Sequence, residues 1–115
     1  MKKITLTINK EKTNFYFGLG FLGKSLEEFK LDINELGERL TANPFLYAPK
    51  LMYYSLEYGY LREEKEFDVK YMDFVDSLDD DNAFVNGNIG KFLDAFTKSL
   101  TKDIPKSEDK ASKKK

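Results

Sequence analysis

Eleven residues constrain this chain more than any others: Phe15-Tyr-Phe-Gly-Leu-Gly-Phe-Leu-Gly-Lys-Ser25. Gly18, Gly20 and Gly23 spell G-x-G-x-x-G. Gly18 to Ser25 also spell G-x-x-x-x-G-K-S. Both patterns mark a strand that turns into a helix around a phosphate. Either one requires an extended segment before it, a helix after it and a parallel sheet around it.

The flanking segments meet the first two requirements. Ile4, Leu6 and Ile8 alternate with Lys3, Thr5 and Thr7, the period of a half-buried strand. Asn9-Lys10-Glu11-Lys12 reads as a turn, and Thr13–Phe17 as a second strand with Phe15 and Phe17 on one face. A lone hairpin is marginal in water, so its apolar face must pack on helices later in the chain. After the glycines, Ser25-Leu-Glu-Glu28 has the spacing of a capping box, as does Asp32-Ile-Asn-Glu35. The second opens a short helix with Ile33, Leu36 and Leu40 on one face, weakened at Gly37 and ended by Thr41-Ala-Asn-Pro44. The longest predicted helix spans about Phe45–Glu66, starting nearer Ala48 if Pro49 occupies the first turn. A further helix places Phe67, Tyr71, Phe74, Val75 and Leu78 on one face and ends at Asp79-Asp-Asp-Asn82. Asn86-Gly-Asn88 marks a turn. Ile89, Phe92, Leu93, Phe96 and Leu100 then define a last helix. The expected fold is α+β and mostly α: one domain over 1–101, with a hairpin at 3–17 and four or five helices from about 20 to 101. A Lys-rich disordered tail is expected over 102–115.

The third requirement fails. No apolar strand-like run comes after Phe17, so there is no parallel sheet to carry a phosphate loop. Tyr71-Met-Asp-Phe-Val-Asp76 is interrupted at Asp73 and reads as helix rather than as a second nucleotide-binding strand. Leu19, Phe21 and Leu22 inside the motif suit packing better than a cradle of open amides. For a dinucleotide site, the acidic residue expected about twenty positions on is Asn43. A calcium loop started at Asp79 meets Ala83, Phe84 and Gly90 where acid, glycine and glutamate are needed. The three glycines then read as a tight junction between hairpin and helices, with Phe21 and Leu22 as its pin.

Composition narrows the chemistry further. The chain has no cysteine and no histidine. Disulfides, thiolate and histidine zinc sites, Ser-His-Asp triads and histidine bases are therefore excluded within it. No cofactor or metal ligand set stands out, and paired acids such as Glu27–Glu28 and Glu63–Glu64 read as solvated helix surface. From Lys102 on, six lysines face Asp103, Glu108 and Asp109, a balance of +3. The whole chain carries -1, so the body carries -4. An acidic body argues against a nucleic-acid partner. The most apolar segment, 45–61, is broken by Pro49, Lys50 and Glu57, which argues against a membrane span. Seven tyrosines exceed what a small core needs and hint at a binding surface. Four of those on the longest helix, Tyr53, Tyr54, Tyr58 and Tyr60, are the interface candidates. Either that helix is central and its tyrosines reach the surface, or these rings face a partner.

Ile4–Ile8, Phe15–Leu22 and the helix around Pro44–Tyr60 together resemble the tail assembly chaperones of long-tailed bacteriophages of Gram-positive bacteria. The resemblance covers most of residues 1–100 and is strict only over Phe15–Leu22. It implies a non-enzymatic protein of the infected cell's cytoplasm, absent from the mature virion. Such a protein coats the long helical tape measure protein, keeps it soluble and recruits subunits of the major tail tube protein. The resemblance leaves self-association open and makes the Lys24-Ser25 match a coincidence. It further suggests a longer product made by ribosomal slippage near the Lys113-Lys-Lys115 end. The competing readings are a small nucleotide-binding protein using Gly18–Ser25 and a minor structural protein of the virion.

Overall fold

The computed structural model describes residues 2–103. Two antiparallel strands, β1 (Lys2–Ile8) and β2 (Glu11–Phe17), form the hairpin. Five helices come after it: α1 (Leu19–Phe29), α2 (Ile33–Ala42), α3 (Pro44–Arg62), α4 (Tyr71–Asp81) and α5 (Asn88–Asp103). The protein is α+β and mostly α. The tail expected over 102–115 lies outside the described residues, except that Lys102 and Asp103 extend α5.

The hairpin turn is tighter than the sequence suggests. Only Asn9 and Lys10 are unpaired, both left-handed with φ of 51° and 71°, and β2 begins at Glu11. Two successive left-handed residues make the turn whose twist matches that of the strands. The register pairs Ile4 with Phe15 and Leu6 with Thr13, so Ile4, Leu6, Ile8, Phe15 and Phe17 share one face. That face closes on α5. Phe15 and Phe17 meet Phe92 at centroid distances of 5.4 and 5.5 Å, and Phe17 meets Phe96 at 6.2 Å. Phe74 of α4 completes the cluster against Phe15. One core thus joins the hairpin to all five helices.

α3 occupies the centre. It packs on β2 and on each of the other four helices. Ala48, Pro49, Leu51, Met52, Ser55, Leu56 and Gly59 are buried along it. Its start corrects the expected one: Pro44 is the first helical residue, and Pro49 lies beyond the first turn with its ring buried. Its end is also earlier than expected. Glu64 adopts φ 58°, and the amides of Glu64 and Lys65 close on the carbonyls of Leu61 and Tyr60. Phe67 consequently lies in the connection before α4 instead of on its face. It packs there on Tyr60 and Tyr53, at 5.1 and 5.3 Å.

The two expected capping boxes have different outcomes. At α2 the box is complete: Glu35 N donates to Asp32 Oδ1 at 2.8 Å, and Asp32 N to Glu35 Oε1 at 2.9 Å. At Ser25 there is none. The helix begins six residues earlier, at Leu19, and Ser25 is buried mid-helix, donating to the Phe21 carbonyl at 2.8 Å. A hydroxyl with a carbonyl one turn back needs no helix end.

Candidate functional site

The Phe15–Ser25 stretch forms a packed joint, not an open loop. From Leu19 on its backbone is helical, and Leu22 N already donates to the Gly18 carbonyl at 2.9 Å. Gly18 is extended, a conformation open to any residue. Its lack of a side chain matters for a different reason. A Cβ there would stand 2.9 Å from the Tyr58 hydroxyl, and one at Gly20 would stand 2.8 Å from Tyr58 Cε1. The expected sharp backbone junction is therefore a seat for an α3 tyrosine. Gly23 has no part in it, since space around its Cβ position is open. Phe21 is buried against Phe17, Phe96 and Tyr58, and Leu22 is half-buried beside it. Lys24, the motif's lysine, points to α3 and pairs with Glu57 at 2.6 Å. The lysine and serine that would handle a phosphate are thus engaged within the fold, one in an ion pair and one in the core.

A second tyrosine–glycine contact faces the first. Gly59 lies under the Tyr16 ring, where an added Cβ would collide with Cδ1 and stand 2.9 Å from Cε1. Ser55 Oγ donates to the Tyr16 carbonyl at 2.7 Å and so closes part of the outer edge of β2. The Tyr16 hydroxyl donates to Glu63. That bond raises the phenol's pKa and, together with Lys65, lowers that of Glu63.

Tyr53, Tyr54, Tyr58 and Tyr60 are all half-buried between α3 and its neighbours. The Tyr53 hydroxyl donates to the Val69 carbonyl at 2.6 Å, and its ring meets Tyr54, Phe67, Tyr71 and Phe74. Tyr54 packs on Phe29, Tyr58 on the glycine seat, and Tyr60 on Phe67. Burial pushes the phenols of Tyr53, Tyr54 and Tyr71 above their ordinary values. The central-helix alternative describes their contacts: these rings fill the seams between α3, α1 and α4.

The residues that most resemble a docking surface lie elsewhere. Phe45 and Leu46 in the first turn of α3, and Phe84 and Val85 in the α4–α5 loop, are exposed. Phe45, Pro49, Val75, Phe84 and Val85 line a groove of about 250 Å³. The sequence held one signal of it, an apolar pair in a turn between Asp79–Asn82 and Asn86–Asn88. A second, larger groove of about 420 Å³ runs between the outer side of β2 and the α3–α4 connection. Its lining mixes Lys12 and Lys65 with Glu11, Glu63 and Asp73. Among the described residues no group of three or more carboxylates is placed to hold a metal ion, and no helix is long and apolar enough to cross a membrane.

Asp81 organises the end of the molecule near the first groove. Its carboxylate accepts from Asn9 N, Asn86 Nδ2 and Asn88 Nδ2, each at 2.8 Å. These bonds hold its pKa below the ordinary aspartate value. Asn88 also donates to the Thr7 carbonyl, so hairpin, α4 and α5 meet at one carboxylate. Comparison with family models, curated proteins and solved structures finds no significant match to this chain.

Proposed function

We propose that this chain is a non-enzymatic binding protein, a phage tail assembly chaperone that holds the tape measure protein soluble while tail tube subunits are recruited around it. The observation that carries this reading is the single unit formed by Ile4–Ile8, Phe15–Leu22 and α3, the three stretches on which the resemblance rests. Gly18 and Gly20 serve Tyr58 in that unit, and Phe21 is enclosed by hairpin and helices. A binding role needs no catalytic group, and it suits a small protein that leaves several large apolar side chains in solvent. On this reading the chain acts in the host cytoplasm and leaves before the virion is complete.

Co-expression tests it. The partner is the very long helical protein expected immediately downstream of this chain's gene. Its soluble fraction should rise several-fold when this chain is present, and the two should co-purify. No gain in solubility and no co-purification would count decisively against the reading. Presence of the chain in purified virions would move it to the structural class instead.

A further inference from the structure

The groove at the start of α3 has a wall, a floor and a rim of one charge. Phe45 is 75% exposed and Val85 84%, so neither belongs to the core. The Phe45 and Phe84 rings nevertheless touch, with centroids 4.3 Å apart, so each limits the other's movement. Pro49 and Val75 lie beneath them. A contiguous apolar slot on the surface of a small protein is the form an interaction site takes.

The rim is acidic. α4 carries five aspartates and no lysine or arginine. Asp81 is engaged with the three asparagines. Asp79 lines the groove, and Asp76 and Asp80 are exposed on the same helix. Among the described residues none of these three has an ion-pair partner. Acids at a helix C-terminus oppose the negative end of the helix dipole and repel one another. No ion pair among the described residues offsets that cost, whereas a cationic ligand would.

We infer that this groove docks a basic amphipathic helix of a partner protein. Apolar side chains of that helix enter the slot beside Phe45, Phe84 and Val85, and its Lys or Arg side chains meet Asp76, Asp79 and Asp80. The slot is walled by a helix and a loop and presents no strand edge, which selects the helix-in-groove mode over strand addition. A second copy of this chain, docked symmetrically, would bring the same acids together. The acidic rim likewise repels nucleic acid and anionic membranes. The inference takes from the proposed function only that the chain binds another protein.

The test uses the full-length chain and two labelled peptides of about 18 residues, long enough to fold as isolated helices. One is built of leucine and lysine, with leucines on one helical face. The other has glutamate in place of lysine. Fluorescence anisotropy at physiological salt should show the lysine peptide binding in the micromolar range and the glutamate peptide about tenfold weaker or worse. Asp76→Asn with Asp79→Asn, and separately Val85→Ser, should each weaken the lysine peptide by about tenfold with unchanged circular dichroism. The control, Glu27→Gln with Glu28→Gln on α1, should leave affinity unchanged. Absence of binding, equal affinity for both peptides, or an equal loss in the α1 control would overturn the inference. Tighter binding after Lys113→Gln, Lys114→Gln and Lys115→Gln would assign the groove to the chain's own tail. Dimerisation abolished by Val85→Ser would assign it to a second copy. Either result also overturns it. Solubilised tape measure protein with a failed peptide titration would remove this groove and leave the proposed function standing.

Discussion

Asp81 and the glycines show how much depends on single side chains here. Asp81 Oδ2 accepts from two asparagine amides, Asn86 and Asn88. Asp81→Asn keeps the shape but turns an NH₂ toward those donors or loses the bond from Asn9. It should lower stability by about 1–3 kcal/mol in urea unfolding. The pH dependence comes from the lowered folded pKa. The carboxylate's contribution is complete above the ordinary value of 3.8 and is lost as pH falls through the lower folded value. Wild-type stability should therefore fall steeply on acidification in that window. The Asp81→Asn variant should show a shallower acid slope, with a remainder from Glu63, whose pKa is lowered in the same direction. Glycines of one sequence type divide by what lies above them. Gly59→Ala drives a Cβ into the Tyr16 ring at three atoms and should cost about 1–3 kcal/mol despite alanine's helix preference. Gly23→Ala meets open space in α1 and should add about 0.5–1 kcal/mol. Thermal unfolding of the pair checks both signs.

At the scale of elements, three helices end in the same way and none of them on glycine. α1, α3 and α4 each close with an amide reaching five residues back and its predecessor reaching three back. The left-handed residue is Lys30, Glu64 or Asn82. A side chain in that conformation costs about 1–2 kcal/mol relative to glycine, less for asparagine. Lys30→Gly and Glu64→Gly should each raise stability by about 0.5–1 kcal/mol, the gain reduced by glycine's freer unfolded state. An unchanged or lower unfolding midpoint would contradict the assignment of those ends. The same feature explains the misplaced boundaries. With no glycine after Arg62, periodicity carries α3 to Glu66 and draws Phe67 into the next helix. The Asp32–Glu35 box is legible because its partners lie within four residues of one another. Ser25 has the same local spacing, but it is sealed in the core and bonded to the Phe21 carbonyl, which local spacing does not encode.

For the whole molecule, the central question is whether a nucleotide motif makes a nucleotide protein. Gly18–Ser25 satisfies the pattern, yet its lysine pairs with Glu57 and its serine is sealed in the core. Titration with ATP or GTP and magnesium should show no saturable binding, in wild type or in Lys24→Ala. A Lys24-dependent affinity in the micromolar range would restore the nucleotide reading. The architecture around the motif gives the reason for that expectation: a two-stranded antiparallel hairpin capped by helices has no parallel sheet to aim a loop at a phosphate.

Sequence alone determined what depends on neighbours along the chain. The alternation of β1 and β2, the i, i+3, i+4 faces of α4 and α5, the Asp32 box and the Asn86–Asn88 turn are all local patterns. The absence of cysteine and histidine excluded whole classes of chemistry without any coordinates. Tertiary structure decided what depends on contacts between distant segments. It placed Tyr58 over Gly18 and Gly20, and Tyr16 over Gly59, so that glycines suited to a phosphate became seats for aromatic rings. It turned the α3 tyrosines into seams between helices. It also brought Phe45 and Phe84, 39 residues apart, into contact beside the α4 aspartates. No periodicity within a single element encodes such a meeting, because burial is settled only when the elements pack.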